Sequence, residues 1–382
     1  NEFGPELAVI KGRLAIEGIE AGVDHSGHGH GGVGFSPTTQ IHAKSIFLLG
    51  GVDSGETDEA VTFTYHNIFE AETSFNGRDL LLTEVEACNS GDTPFTGAAA
   101  LESACDDGET LTLARSFYQF PMSENWTGTI GAKVRQDQML GVWPSAYPSD
   151  SVLDVLTYAG ANDAYSLSVG AGAGVTWADN NLSASLLFVS ADANSASSQE
   201  STAGGLLTGN GSDDVTAQFA WLGDGITLAA AYTVADNGNW DGTADANDYT
   251  AFGLSGVYEV ENLGIDSEWM PTSVSAGMGW STPDNEDLPD TAANANEDTQ
   301  TWSVGLIWND AFVDGNNLGW ALGTAEGHRD DPGYDDPLAW EVYYQMTVSD
   351  NITVTPALFV VQRDGEQNDD YTGGVVKTTF KF

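Results

Sequence analysis

Charged side chains of opposite sign lie close together in the middle of the sequence. Lys133 and Arg135 stand at alternate positions, and Asp137, Asp150 and Asp154 follow them. Opposed charges that face each other across a narrow gap set up a transverse field, which orders water and dipolar solutes. The pattern therefore predicts a filter for ions and small polar molecules.

The sequence gives little support to an enzyme. It has no glycine-rich phosphate loop, no nucleophile elbow and no zinc-protease spacing. His42, His66 and His328 are isolated, and carboxylate pairs are so frequent that no single pair indicates acid–base chemistry. We therefore expect no catalysis and no cofactor. With 57 acidic and 11 basic residues, the formal net charge is −46, which excludes nucleic acid as a natural partner.

Two alternating segments frame a long insertion at residues 136–162. Residues 125–135 and 163–177 each place apolar and polar side chains on opposite faces, as a half-buried strand does. The polar face of the second segment carries three glycines in register, so we expect a bulky group to lie against it. We expect the insertion to fold inward there and to form the constriction of a β-barrel pore. Its aromatic candidates for the constriction are Trp143, Tyr147 and Tyr158.

Strand-like segments continue along the rest of the chain. The predicted strands are residues 39–49, 60–71, 78–87, 109–120, 125–135, 163–177, 181–190, 214–221, 226–235, 249–260, 271–280, 299–308, 318–325, 338–348, 351–363 and 371–382. There are sixteen of them, an even number. The second, third and fourth alternate poorly, so we expect them to carry β-bulges or to line a subunit contact.

The connections between these segments alternate between long and short. Long loops at one end and short turns at the other are typical of an outer-membrane β-barrel. A soluble propeller of four four-stranded blades is the alternative, but it buries both faces of its sheets and does not sort its loops by length. No apolar run approaches the roughly 20 residues of a spanning helix, so a membrane span has to be a closed sheet.

Strand parity places five of the eleven basic residues on the wall that faces the lumen. These residues are Lys133, Arg135, Arg363, Lys377 and Lys381. An acidic mouth concentrates cations, whereas a basic wall admits anions. Salt screens the potential of the charges at the mouth more than that of the charges at the constriction. We expect a cation preference at low salt that weakens or reverses at high salt. The alternative is that these bases only pair with neighbouring carboxylates.

Two smaller features have more than one interpretation. Cys88 and Cys105 flank a polar loop, and in an exported protein such a pair forms a disulfide or remains as two idle thiols. His25, His28 and His30 lie in a glycine tract, which is either a flexible linker or a weak site for a divalent metal. The helical pattern at residues 3–23 fits either a capping helix or the end of a coiled coil.

Several segments of the chain resemble the cyanobacterial outer-membrane porins, which group with the carbohydrate-selective porin superfamily. The segments are EFGPEL (2–7), RQDQML (135–140), WPSAYPSD (143–150), LDVLTYAGA (153–161), AYSL (164–167) and VVKTTFKF (375–382). The resemblance covers nearly the whole chain and is densest between residues 115 and 180.

This resemblance implies an all-β transmembrane antiparallel barrel of about sixteen strands, with a short N-terminal helix and an inward-folded constriction loop. It implies a homotrimer in contact with membrane lipid and lipopolysaccharide, which passes inorganic ions and small hydrophilic solutes by passive diffusion. Residues 1–38 are then the end of a periplasmic stalk, and residues 39–382 are the barrel. Peptidoglycan is a partner only through a domain that precedes the stalk in the family. The sequence shows neither a signal peptide nor an initiator Met, so we expect it to be a processed or truncated product of a longer precursor. A sugar-selective channel and an envelope anchor are the alternatives.

Overall fold

The structure is a computed structural model that describes residues 38–55, 60–95, 97–105, 108–148, 152–195, 204–208, 211–236, 248–260, 270–283, 298–325, 327–329, 336–363 and 369–382. Three short 3-10 turns, at Gly97–Ala99, Gln136–Met139 and Asp154–Leu156, accompany the strands in these ranges. No helix in this part of the chain has the length and apolar character needed to cross a membrane. The expected N-terminal helix and the histidine tract with His25, His28 and His30 lie outside the described residues.

Seventeen strand segments follow one another along the chain. Their bounds are β1 Thr39–Asp53, β2 Thr62–Thr73, β3 Leu80–Cys88, β4 Thr112–Pro121, β5 Trp126–Arg135, β6 Val169–Asp179, β7 Leu182–Ser190, β8 Asp213–Gly223, β9 Ile226–Asp236, β10 Tyr249–Glu259, β11 Ser273–Pro283, β12 Thr299–Trp308, β13 Asn317–Thr324, β14 His328–Arg329, β15 Leu338–Ser349, β16 Ile352–Val361 and β17 Tyr371–Lys381. These bounds follow the predicted ones closely, with the exception of β6.

The strands form one closed antiparallel sheet. Each strand pairs with the next along the chain, except that β13 pairs with β15, and β17 returns to β1 to close the ring. The two-residue β14 pairs with the start of β12 and so prolongs β13 after a short break. Sixteen strands therefore surround the axis. The predicted barrel is confirmed, and the propeller is excluded because its blades are separate sheets.

The outer face of the barrel is apolar. Phe47, Leu186, Phe219 and Leu358 are among the large hydrophobic side chains that are exposed on it. Aromatic residues of the outward parity gather near the short turns (Trp126, Trp177, Trp221 and Trp308) and near the long loops (Phe252, Trp280, Trp302 and Trp340). An apolar band between two aromatic belts matches a hydrocarbon layer with its two polar interfaces.

Pairing is irregular where β3, β4 and β5 meet. The register shifts at Glu84/Val85 between β3 and β4, and at Ser116/Phe117 between β4 and β5. These shifts explain the poor alternation of the third and fourth predicted strands, because an extra residue bends one strand and re-aims its side chains. Arg115 lies between the two shifts, so the bulges determine where its guanidinium points.

The strand predicted at residues 163–177 is wrong in its first six residues, since β6 begins only at Val169. Tyr165 donates its backbone N–H to the Ala161 carbonyl at 2.9 Å, which closes a turn. Its side chain is fully buried inside the barrel, and Leu167 has a positive φ of 52°. Local alternation continued through this turn, but the burial of Tyr165 favours the turn over an extended strand.

The apolar core lies inside the barrel, between its wall and the loops that fold inward. One cluster joins Phe95 and Leu153 from two different loops to Phe359 on β16. A second cluster joins Met139, which follows β5, to Leu187 on β7. The interior is therefore partly filled with packed side chains, and any open path runs beside them.

Candidate functional site

The described residues between β5 and β6, 136–148 and 152–168, run inside the barrel, and we call them the inner loop. Its first turn lies against the glycines of β6. A Cβ added at Gly172 or Gly174 would meet the Met139 side chain at 3.2 Å or 3.0 Å. The bulky group expected against this glycine face is therefore the first turn of the inner loop.

Gln136 ties the two ends of the inner loop to the wall. Its side chain is fully buried and donates to the hydroxyl of Thr216 on β8 at 2.7 Å and to the Ala164 carbonyl at 3.1 Å. Its carbonyl oxygen accepts the backbone N–H of Leu167 at 3.1 Å. Burying an amide without hydrogen bonds is unfavourable, so Gln136 is stable in this position only while all three bonds are made. This one side chain therefore fixes where the inner loop begins and ends.

Small hydroxyl side chains on the inward face hold the rest of the loop backbone. The bonds are Gly141 N to Ser185 Oγ (2.7 Å), Ala146 N to Ser275 Oγ (2.8 Å), Thr233 Oγ1 to Ala164 O (2.8 Å), Ser255 Oγ to Ala159 O (2.8 Å) and Thr301 Oγ1 to Gly160 O (3.1 Å). A hydroxyl both donates and accepts, so these residues satisfy backbone groups that would otherwise be buried without a partner. The inner loop is thus seated along the wall from β7 to β12.

Glu341 on β15 anchors the middle of the inner loop. Its carboxyl group is fully buried and accepts hydrogen bonds from the Tyr147 hydroxyl at 2.5 Å and the Leu153 backbone N–H at 2.6 Å. The Tyr147 ring lies over Gly305, where a Cβ would approach it to 2.6 Å. Tyr147 is therefore placed between the loop and the wall, and it does not face open space.

The charged face of the inner loop begins at Arg135 and Asp137. The guanidinium donates two hydrogen bonds of 2.8 Å to the carboxylate, and the side chains are 26% and 24% exposed. A bidentate pair of this kind fixes both side chains in one geometry. Since the two side chains are partly exposed although they lie inside a closed barrel, water-accessible space remains beside them.

Inward-facing charged residues of β2, β3 and β4 lie near this pair, and we call them the charged wall: Glu70, Glu84, Glu86 and Arg115. Glu84 stands opposite Glu70 on one side and opposite Arg115 on the other. Arg115 also interacts electrostatically with Arg135 at the end of β5. We call the space between the charged wall and the inner loop the aperture.

Three predicted residues border the aperture in addition to the Arg135–Asp137 pair. Lys133 donates to the Leu113 carbonyl at 2.6 Å and interacts electrostatically with Glu86. Tyr158 donates to Asp154 at 3.0 Å, and burial together with that carboxylate raises the pKa of the Tyr158 hydroxyl. Tyr158 therefore stays protonated and serves as a donor at this site at every physiological pH.

The other predicted residues are spread over the molecule. Trp143 packs edge-to-face against Tyr165 within the inner loop, with ring centroids 5.2 Å apart. Lys377 is buried on the inward face of β17, while Lys381 ends that strand beside the turn at Asn351. Arg363 lies beyond the opposite end of β16 and over the Tyr371 ring at 4.8 Å. Asp150 lies outside the described residues. Of the five predicted bases, only Lys133 and Arg135 are therefore neighbours at the aperture.

A second loop enters the barrel, and the sequence did not indicate this. We call the described residues between β3 and β4 (89–95, 97–105 and 108–111) the disulfide loop, because a disulfide between Cys88 and Cys105 closes its first part. Ala99 and Leu101 of this loop are buried against the inner loop. The two cysteines indicated a loop that a disulfide could close, but they did not indicate whether the loop points into or out of the barrel. Nothing in the local sequence pattern of the loop distinguishes the two paths.

Sequence reasoning also missed the charged wall and the role of Glu341. Arg115 was hidden by the bulges around it, which break the parity rule. Glu70, Glu84 and Glu86 did share a signal, since they are carboxylates in the same two neighbouring strands. Glu341 had a similar one, because it is the only acid in β15 and its neighbours from Leu338 to Tyr344 are apolar or aromatic. A lone inward carboxylate of that kind indicates a buried hydrogen-bond acceptor.

One group of potential metal ligands occurs among the described residues. His66, Glu86 and Cys105 place their ligand atoms within 4.8 Å of one another. The Cys105 sulfur is part of the disulfide and cannot supply a thiolate. The His66 ring lies 3.0 Å from Glu86 Oε2 and 3.2 Å from the Ser103 carbonyl. His66 therefore links Glu86 on β3 to the Ser103 carbonyl and so supports the disulfide loop.

Comparison with known proteins identifies the fold but no named family. No family model matches the chain. The uncharacterized protein alr4550 of Nostoc sp. is 24% identical over 100% of this chain and 71% of its own length. The uncharacterized protein sll0772 of Synechocystis sp. is 26% identical over 91% of this chain and 70% of its own length.

Solved porin structures share the architecture at low sequence identity. OprB of Pseudomonas putida has a TM-score of 0.63 at 12% identity, covering 90% of this chain and 94% of its own. OmpT of Vibrio cholerae, an outer membrane protein solved with one loop deleted, has a TM-score of 0.53 at 11% identity, covering 90% and 100%. A porin of Rh. blastica has a TM-score of 0.51 at 15% identity, with the same coverage. The chain therefore has a porin-type barrel fold.

Proposed function

We propose that this protein is an outer-membrane porin, a passive diffusion channel for inorganic ions and small hydrophilic solutes. The observation that carries the proposal is the aperture, where charged side chains about a quarter exposed face each other inside a closed barrel. The apolar outer face and its two aromatic belts support a position within a lipid bilayer. Water and ions are then the natural contents of the polar space that the described residues leave beside the Arg135–Asp137 pair.

We further propose how the barrel is placed in its envelope. Long loops face the exterior and short turns face the periplasm, as the alternation of loop lengths indicates for outer-membrane barrels. The outer face then contacts lipid and lipopolysaccharide, and the protein assembles as a homotrimer. The segment before residue 39 serves as the end of a periplasmic stalk.

Membership in the cyanobacterial group of the carbohydrate-selective porin superfamily is part of this proposal. It is supported by the motifs described above and by the cyanobacterial relatives. A sugar-selective path has less support, because sugars need a series of aromatic stacking platforms. Three inward-facing aromatics, Tyr147, Tyr343 and Phe359, are at most 4% exposed, which leaves Tyr158 as the aromatic residue described at the aperture. Ions and generic small solutes need only a polar, hydrated opening.

Planar bilayer recording tests the proposal. Purified protein is added to one side of the membrane, and single-channel conductance is measured together with the reversal potential under a salt gradient. We expect discrete, voltage-independent conductance steps with a preference for cations at low salt, because the acidic loops concentrate cations at the mouth. Folded protein that inserts into the bilayer but carries no ion current would overturn the proposed function.

A further inference from the structure

The disulfide loop is packed into the interior of the barrel. Phe95, Ala99 and Leu101 are buried in the same apolar cluster as Leu153 of the inner loop. The Phe95 ring also lies 6.3 Å from the ring of Phe359 on the barrel wall. Burying three apolar side chains stabilises this inward position, at roughly 25 cal/mol per Å² of surface removed from water.

The backbones of the two loops are joined directly. Glu102 donates its backbone N–H to the Val152 carbonyl at 2.9 Å, and Asp154 donates to the Ala100 carbonyl at 3.0 Å. Leu101 and Leu153 form an isolated antiparallel bridge between these two bonds. The disulfide loop therefore supports the part of the inner loop that carries Asp154.

The base of the disulfide loop is fixed to the wall. The disulfide holds the Cα atoms of Cys88 and Cys105 at 5.8 Å, and Ser90 donates its N–H to the Cys105 carbonyl at 2.9 Å. The neighbouring Ser103 carbonyl lies 3.2 Å from the His66 ring on β2. In a chain-entropy view, closing 17 residues removes loop freedom equivalent to about 3 kcal/mol.

This arrangement places the Glu102 side chain at the aperture. Glu102 is partly exposed, and its carboxylate interacts electrostatically with the Arg135 guanidinium and with Tyr158. The two loops therefore bring three carboxylates, those of Glu102, Asp137 and Asp154, to the same opening. Two of them belong to the inner loop, and only the third depends on the disulfide loop.

We propose that Glu102 is a charge-selectivity residue of the pore and that the Cys88–Cys105 disulfide holds it at the aperture. This rests on the proposed channel function. A fixed charge within a few ångströms of a passing ion is poorly screened, whereas charges on the outer loops act over a Debye length of about 10 Å at 0.1 M salt. Reduction of the disulfide by an added dithiol, which is itself oxidised to a disulfide, then frees the base of the loop, removes the Glu102 charge from the path and widens the opening.

The test measures the cation-to-anion permeability ratio from reversal potentials at high salt in planar bilayers. The variants are Glu102→Gln, the double variant C88S/C105S, and the triple variant that combines them. Asp92→Asn is the matched control, since Asp92 is an exposed acid of the same loop. Heat-modifiable gel mobility shows that each barrel is folded before it is recorded.

We expect Glu102→Gln to lower the ratio about twofold or more, as the loss of one unit charge near the ion predicts, and D92N to leave it unchanged. The C88S/C105S variant should show a similarly lowered ratio with a larger and noisier conductance. Adding Glu102→Gln to that background should change the ratio no further. If the cysteine variant does not fold, reduction of wild-type channels already inserted in the bilayer gives the same comparison.

Two outcomes would overturn the proposal. An unchanged ratio in Glu102→Gln means that Glu102 does not act on the permeating ion. An effect of Glu102→Gln that is as large without the disulfide as with it means that the disulfide does not position the residue. If wild-type protein forms no ion-conducting channels at all, the proposed function itself has failed, and this result is distinct from both.

Discussion

Replacing Glu341 by Leu should release the middle of the inner loop from the wall. The wild-type carboxyl accepts one hydrogen bond from Tyr147 and one from Leu153, and the site is fully buried. Leucine has a similar volume but accepts neither bond, so both donors are left buried without this acceptor. The other contacts of the loop with β7 to β12 remain, so we expect a local change and an intact barrel.

The magnitude follows from the two lost bonds. A buried donor without its acceptor costs about 1–3 kcal/mol, so the pair costs roughly 2–6 kcal/mol. Because every 1.4 kcal/mol is a factor of ten, even the lower figure raises the ratio of released to seated loop by roughly 30-fold. Partial release of a loop that narrows the pore should appear as a larger mean conductance and stronger open-channel noise.

Single-channel recording of Glu341→Leu, Glu341→Gln and wild type distinguishes the possible causes. The glutamine variant should behave almost as wild type, since its amide oxygen can accept from Leu153 and its amide group can donate to the Tyr147 oxygen. Asp224→Asn, at an exposed turn, controls for the loss of one acid. Identical conductance and noise in folded Glu341→Leu and wild type would show that this anchor does not hold the loop.

Three further predictions concern stability and selectivity. Asp79→Asn should destabilise the barrel by about 1–3 kcal/mol in urea titrations, because the buried Asp79 carboxylate accepts hydrogen bonds from two backbone N–H groups and two hydroxyls. Burial opposes ionisation, but these hydrogen bonds outweigh it and lower the pKa of Asp79 below its ordinary 3.8. Their stabilisation is therefore complete above pH 3.8 and is lost as the pH falls through the lowered pKa of the folded state. If wild-type protein loses no stability relative to the variant below pH 3.8, this prediction is wrong. Gly277→Ala should displace the inner loop, because the new Cβ overlaps a carbonyl of that loop, and it should give heterogeneous single-channel conductance. Gly374→Ala, on the outer face, should leave the conductance unchanged. Equal conductance distributions for the two variants would contradict the close approach of the inner loop to Gly277. The double variant K133Q/R135Q should shift selectivity toward cations at high salt, and reversal potentials equal to wild type at every salt concentration would show that these bases are structural.

Period-two alternation was sufficient to predict most of the barrel, because each strand faces an apolar outer medium on one side and a polar interior on the other. The pattern in β12, where Trp302, Val304 and Leu306 alternate with smaller residues, is an example. The inner loop was predictable for a different reason. Gly172 and Gly174 leave a gap on the inward face, and the chain must fill that gap with something nearby.

The parts that could not be predicted depend on contacts between residues far apart in the sequence. The inward path of the disulfide loop is fixed by Leu101 against Leu153 and by Phe95 against Phe359. Neither pair of contacts can be recognised from the sequence around either residue. In the same way, the position of Arg115 depends on two bulges. Each bulge adds one residue to a strand, so alternation along the sequence no longer tells which side chains face inward.

The sign of the charge at the aperture follows from these long-range contacts and not from the composition. The bases that meet there are Arg115, Lys133 and Arg135, and the acids that interact with them are Glu84, Glu86, Glu102 and Asp137. Acids outnumber bases in this group, even after Arg135 and Asp137 neutralise each other in a bidentate pair. High salt screens the acidic outer loops but acts much less on charges that border the ion's path. The aperture should therefore preserve some of the cation preference at high salt, and its strength should depend on whether the disulfide keeps Glu102 in place.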